Sequence, residues 1–97
     1  MIALYPIKPV YTDRIFSGEK TFELRRRLPK EELSYILIYS TSPVSKIVGY
    51  ARVKGIKAGS VHDLWSSHHQ KFGISKEDYF SYFNGCETAK AIELTEV

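Results

Sequence analysis

"YILIYSTSPVSKIVGYARVKGIKAG", Tyr35 to Gly59, is two strand-like runs joined by the short turn "SPVSK". The first run, Tyr35 to Thr41, is β-branched and aromatic and apolar on both faces, the composition of a strand in the middle of a sheet. In the second, Ile47 to Gly59, Gly49 and Gly55 interrupt the pattern and predict bulges or sharp bends where a sheet curls. A connection of so few residues leaves no room for a crossover helix. The expected architecture is therefore a curled mixed sheet or small barrel, not a doubly wound parallel sheet.

Working outward, "IALY", Ile2 to Tyr5, reads as a first strand closed by Pro6 and Pro9. The spacing of Val10, Arg14 and Ile15 predicts a helix to Ser17, with Pro9 in its first turn and Gly18 as its stop. A strand from Lys20 to Arg26 follows, then the polar connection "LPKEEL", with room for one helical turn. After the glycine-broken strand come two helices, "SVHDLWSSHHQKF" with Ser60 as N-cap and "SKEDYFSYFNG" with Ser75 as N-cap and Gly85 as its end. "AKAIELTEV" is the last strand. The order is β, α, β, β, β, α, α, β, without repeats, low-complexity segments or long linkers.

The 97 residues form one domain, 1-97, with enough apolar and aromatic content, including seven Tyr and five Phe, for a packed core without a metal or disulfide. Cys86 is the lone cysteine, which excludes an internal bridge and zinc-finger spacing and fits a reduced, cytoplasmic setting. "MIALYPIKPVY" is too short and too broken by Pro6 and Lys8 to span a bilayer, so neither membrane insertion nor secretion is expected. Net charge is +3, compatible with a polyanionic partner but too small to establish one. His62, His68 and His69 lie on different sides of a helix and are not expected to hold a metal. No phosphate-loop motif is present.

The strand "SGEKTFELRRR", Ser17 to Arg27, concentrates charge around two large apolar residues. Period-two alternation turns Phe22 and Leu24 into the core and sets Thr21, Glu23 and Arg25 on the opposite face, with Lys20 at the strand entrance. Pooled Lys, Glu and Arg can clamp a phosphate, read a base edge or form an acid-base pair. The plainer explanation is a solvated charge network worth about 0 to 1 kcal/mol per pair. Arg26, Arg27 and Lys30 extend the positive stripe, as a nucleic-acid track or a solubilising surface. Ser40, Thr41 and Ser42 offer hydroxyls and N–H groups that could cradle an anion, although turn chemistry alone explains them. Tyr39, Trp65, Tyr82 and Phe83 could stack on bases, but core packing is the commoner use of such helical stripes.

"IKPVYTDRIFSGEKTFELRRR" followed by "YSTSPVSKIVGYARV" resembles the ASCH domain family of the PUA-like superfamily. The motif is Gly-x-Lys-x-x-x-x-Arg with an internal Glu, here Gly18, Lys20, Glu23 and Arg25, joined by Lys8-Pro9 and the Tyr39 to Pro43 turn. The resemblance implies an α+β fold, a PUA-like curled mixed β-barrel with flanking helices. It also implies a cleft that takes RNA or a modified nucleoside through Lys8, Lys20, Glu23, Arg25, Arg26, Ser40, Thr41 and Ser42, with no cofactor. Within that family lie coregulators acting through protein partners, ribonucleases, and amidohydrolases acting on N4-acetylcytidine. If the chain is an enzyme, Lys20 and Glu23 are its candidate catalytic residues. It departs from the amidohydrolase branch, with Glu23 in place of a Thr and Gln70, whose amide cannot take up and release a proton, where a helical Glu would align. A binding module is the first expectation and a hydrolase the alternative.

Overall fold

The computed structural model describes residues Met1–Val97. Its backbone is organised by one long strand, β4 (Lys46–Ser60), which pairs on both sides. Its first half runs antiparallel to β3 (Tyr35–Ser40), and its second half antiparallel to β5 (Thr88–Thr95). The two ladders share only Arg52. The strand order is β1 (Ile2–Ile7), β3, β4, β5, β2 (Phe22–Arg25), with β1 parallel to β3 and every other pair antiparallel. A mixed, curled five-stranded half-barrel results, as the glycine-broken strand predicts. The middle place falls to β4, however, and not to Tyr35–Thr41, because a strand of 15 residues can serve two partners along its length.

Both expected bends are present as register shifts. Ile38 faces Gly49 while Tyr39 faces Ile47, which leaves Val48 as the extra residue of a bulge. Val53 faces Leu94 while Gly55 faces Glu93, which leaves Lys54 unmatched. Such insertions increase local twist and let a sheet close on itself. Gly49 has a second reason to be glycine: a Cβ there would stand 2.7 Å from the ring of Phe16, which lies across the strand.

The helices begin and end on their caps. Helix α1 (Pro9–Ser17) has proline in its first turn and stops at Gly18, whose φ of 88° is left-handed. Ser60 and Ser75 each accept a hydrogen bond at 3.1 Å, from the N–H of Asp63 and of Asp78, and so start α2 (Val61–His68) and α3 (Lys76–Tyr82). A single 3-10 turn, His69–Lys71, follows α2. The "LPKEEL" connection has no helical turn; its Leu33 is simply buried in the core.

Strand β5 separates two apolar clusters. Ala89 and Ala91 face the helices, with Phe22, Leu24, Phe72, Tyr79 and Phe83. Ile92 and Leu94 face the barrel interior, with Ile7, Ile15, Ile36, Ile38 and Ala51. Each fully buried large side chain contributes about 1.5–3 kcal/mol by leaving water. The strand holding Glu23 is therefore covered on both faces. This corrects two expectations, the strand from Lys20 to Arg26 and the solvated charge network on its face opposite Phe22 and Leu24: β2 is only Phe22–Arg25, and its second face looks across the barrel instead of into water.

Curling brings the two edge strands, β1 and β2, toward one another without pairing them. Arg25 bridges them: its Nη2 donates to the Pro6 carbonyl at 3.0 Å, and its guanidinium lies 4.3 Å from the centre of the Tyr5 ring. The helical cluster is pinned by one buried polar bond, Tyr79 Oη donating to the Val61 carbonyl at 2.7 Å. Tyr79→Phe removes this bond and leaves the carbonyl only its helical partner four residues on, and is expected to cost about 0.5–1.5 kcal/mol in urea unfolding, with the native circular dichroism unchanged.

Candidate functional site: a charged hollow in the barrel seam

Where β1 and β2 approach, a hollow of about 370 Å³ opens. Its size falls in the range of about 300–1,000 Å³ typical of small-ligand sites. Pro6, Ile7 and Lys8 come from the end of β1, Tyr11 from α1, and Lys20, Glu23, Leu24 and Arg25 from β2 and its approach. Ile74, Asp78, Ser81 and Tyr82 close the far side from α3 and the residues before it.

Lys20 is 3% exposed, although it carries a charge that burial penalises. Its Nζ donates to the Phe72 carbonyl at 2.6 Å and lies 5.4 Å from the centre of the Tyr11 ring. Burial pushes its pKa down to about 8; Glu23 acts against that shift, and Arg14 and Arg25 add to it. Glu23, 6% exposed, is displaced in the other direction: burial raises its carboxyl, while Lys20 and Arg25 pull it back. Glu23 Oε2 accepts from Arg25 Nε at 3.0 Å. The two-residue spacing predicted from the strand thus makes an ion pair, inside the fold rather than in solvent.

A short backbone segment holds Lys20 in place. Arg14 Nη1 donates to the Gly73 carbonyl at 2.8 Å, and the Thr21 N–H donates to the Lys71 carbonyl at 2.9 Å. Gly73 has φ 59°, and a Cβ there would stand 2.5 Å from Lys20 Cβ. Only glycine satisfies both the left-handed backbone and that close approach.

Of the residues expected at the site, Lys8, Lys20, Glu23 and Arg25 converge on the hollow. Arg26 stands beside it, bracing a wall residue: its Nε donates to the Tyr82 carbonyl at 2.8 Å, and its guanidinium lies 4.4 Å from the centre of the Tyr82 ring. Ser40, Thr41 and Ser42 do not line it. Ser40 is buried with its Oγ unpartnered, and Thr41 uses its N–H on the Ile7 carbonyl at 3.0 Å. Arg27 and Lys30 are exposed and outside the hollow. Among the aromatics, Tyr82 is in the wall and Phe83 in the core, while Trp65 packs against the helical cluster. His62, His68 and His69 rest against Phe80, Phe22 and Trp65 respectively. Gln70 is exposed in the 3-10 turn, away from the hollow.

Sequence reasoning missed Tyr11, Asp78 and Ser81. Asp78 supplies the hollow's second carboxylate, and its charge helps burial raise the Tyr11 phenol. Both serine-capped and helical, the segment holding Asp78 and Ser81 reads as a helix surface; nothing local to it marks the β1–β2 seam it faces.

The ASCH domain profile matches residues 6–97. The chain belongs to the ASCH domain family. An ASCH domain-containing ribonuclease of Zymomonas mobilis is 39% identical over 95 residues, covering 97% of this chain and 64% of that protein. The chain thus spans slightly under two thirds of that relative's length. The crystal structure of ASCH from Zymomonas mobilis superposes with a TM-score of 0.89 at 38% identity, over 96% of this chain and 66% of the other. A single-residue variant of the same protein gives the same TM-score, 0.89, over 68% of its chain. These ASCH structures confirm the PUA-like α+β half-barrel expected from the motif.

Because the folded ASCH domain holds the Lys20 proton less tightly than the unfolded chain, the penalty for burying that charge is present in full below about pH 8. It is relieved as pH rises from about 8 toward 10.5, the ordinary lysine value. Lysine side-chain NMR is expected to show one resonance titrating near 8 that is absent in Lys20→Arg. In Glu23→Gln the midpoint drops further, because the negative charge favouring the ammonium is gone.

Proposed function

We propose that this ASCH domain binds RNA and seats one nucleotide in the seam hollow. The observation that carries the reading is the convergence of Lys8, Lys20 and Arg25 on one concavity that also holds two carboxylates. Arg25, with Nε and Nη2 engaged by Glu23 and the Pro6 carbonyl, offers Nη1 to a phosphate oxygen or a guanine acceptor, and Lys8, exposed at the rim, a point charge for a neighbouring phosphate. Glu23 and Asp78 accept from the exocyclic amino groups of a base. Tyr11 and Tyr82 give the walls aromatic surface on which a base can stack. A ribonuclease relative at 39% identity supports RNA as the polymer.

Salt titration of RNA binding is expected to give a linear fall of log affinity with log salt. Lys8→Ala reduces that slope by about 0.7 for a single strand, because one phosphate contact is lost. A slope near zero in the wild type would contradict phosphate contact.

A second reading, RNA cleavage in the same hollow, is favoured by the opposite displacement of Lys20 and Glu23. A buried lysine lowered and a buried carboxyl raised are both brought closer to neutral pH, as an acid-base pair requires. In it, ionised Glu23 takes the proton of an attacking ribose 2′-hydroxyl as the new oxygen–phosphorus bond forms. Protonated Lys20 gives a proton to the departing 5′-oxygen, and Arg25 holds the phosphate between them. Lys20→Ala is expected to lower single-turnover cleavage by about 10²–10⁴-fold. The wild-type rate falls as pH rises through about 8, where Lys20 loses its proton. Cleavage that is unchanged in Lys20→Ala removes this second reading and leaves the binding one standing.

A further inference from the structure

The outer face of the sheet is apolar where an exposed face normally alternates to polar residues. Ile2 pairs with Tyr35 and Tyr35 with Arg52; Leu4 pairs with Leu37 and Leu37 with Tyr50. These side chains therefore form rows across β1, β3 and β4, and Ile47, opposite Tyr39, continues the surface. The rings of Tyr35 and Tyr50 lie 6.3 Å apart, on one face. Residues alternating with them, Ile36, Ile38 and Ala51, are fully buried on the other. Ile2 is 61% exposed, Leu4 52%, Ile47 54% and Tyr50 57%.

We propose that this face docks a second copy of the chain in a two-fold dimer. Five large apolar side chains, Ile2, Leu4, Tyr35, Ile47 and Tyr50, stand exposed side by side on it, a contiguous patch of the kind that marks an interaction site. A stable interface covers about 800 Å² per partner, so the contact spreads from these side chains to the half-buried Leu37 and Tyr39 between them.

Its charge also fits. The one cation in the rows, Arg52, is paired with Glu96 at 3.5 Å, so two copies meet there without repulsion although the chain is basic. A platform for single-stranded RNA would instead set unpaired cations among its aromatics.

The face is self-complementary as well. A two-fold axis along β3 lays β1 of one copy over β4 of the other, so the aliphatic row of Ile2 and Leu4 meets the longer Tyr50 and Arg52 side chains, twice. The charged hollow opens on the seam between β1 and β2, so both hollows stay accessible.

Sedimentation velocity over a concentration series is expected to show a monomer–dimer equilibrium. Tyr50→Glu and Leu4→Lys each weaken it at least about tenfold, an energy of about 1.4 kcal/mol. Both variants keep the wild-type circular dichroism, because both side chains are exposed in the monomer. A chain that stays monomeric throughout, or a dimer equally tight in both variants, overturns the proposal. So does a monomer whose RNA affinity falls in Tyr50→Glu, which would give the face to nucleic acid.

Discussion

Arg25 holds the half-barrel at its weakest place. A five-stranded sheet that curls without closing leaves two edges facing each other, and unpaired edges are liabilities. Here the guanidinium spans the gap from β2 to β1, donating to the Pro6 carbonyl and covering the Tyr5 ring, while its other side engages Glu23. Lysine could not make these contacts together, because they need a planar group with several fixed donors. The hollow is what remains of the seam beyond this clasp.

From that clasp follows the electrostatic character of the site. Glu23 is buried because the seam is narrow, and Lys20 because the segment around Gly73 closes over it. Neither group would be displaced in its proton affinity on an open strand. The fold thus turns an ordinary surface motif into groups that hold their protons differently from water, and the apolar packing of two core clusters bears the cost of enclosing them.

Much of this architecture is legible in the sequence. Glycines at 49 and 55 mark the bulges, serines 60 and 75 the caps, and the alternation at Phe22 and Leu24 the core face of β2. The motif residues Lys20, Glu23 and Arg25 do share one place. What period-two reasoning misses is the second layer over that strand: alternation tells which residues share a face, but only tertiary curling decides whether the face meets water. For the same reason Tyr11, Asp78 and Ser81 escape notice, since each joins the hollow from an element distant in sequence. The Ser40 to Ser42 turn does not line the hollow, and hydroxyls at a strand end look alike whether or not they border a cavity.

The stretch from Lys71 to Gly73 has a role out of proportion to its size. Its three carbonyls receive Thr21, Lys20 and Arg14 in turn, so it grips the strand and helix on either side of the site without belonging to either. Any change that loosens this linker admits water to the amine and returns it toward the behaviour of a free lysine. Proton affinity in the hollow can therefore be tuned from the join between two helices, leaving every side chain that lines it unchanged.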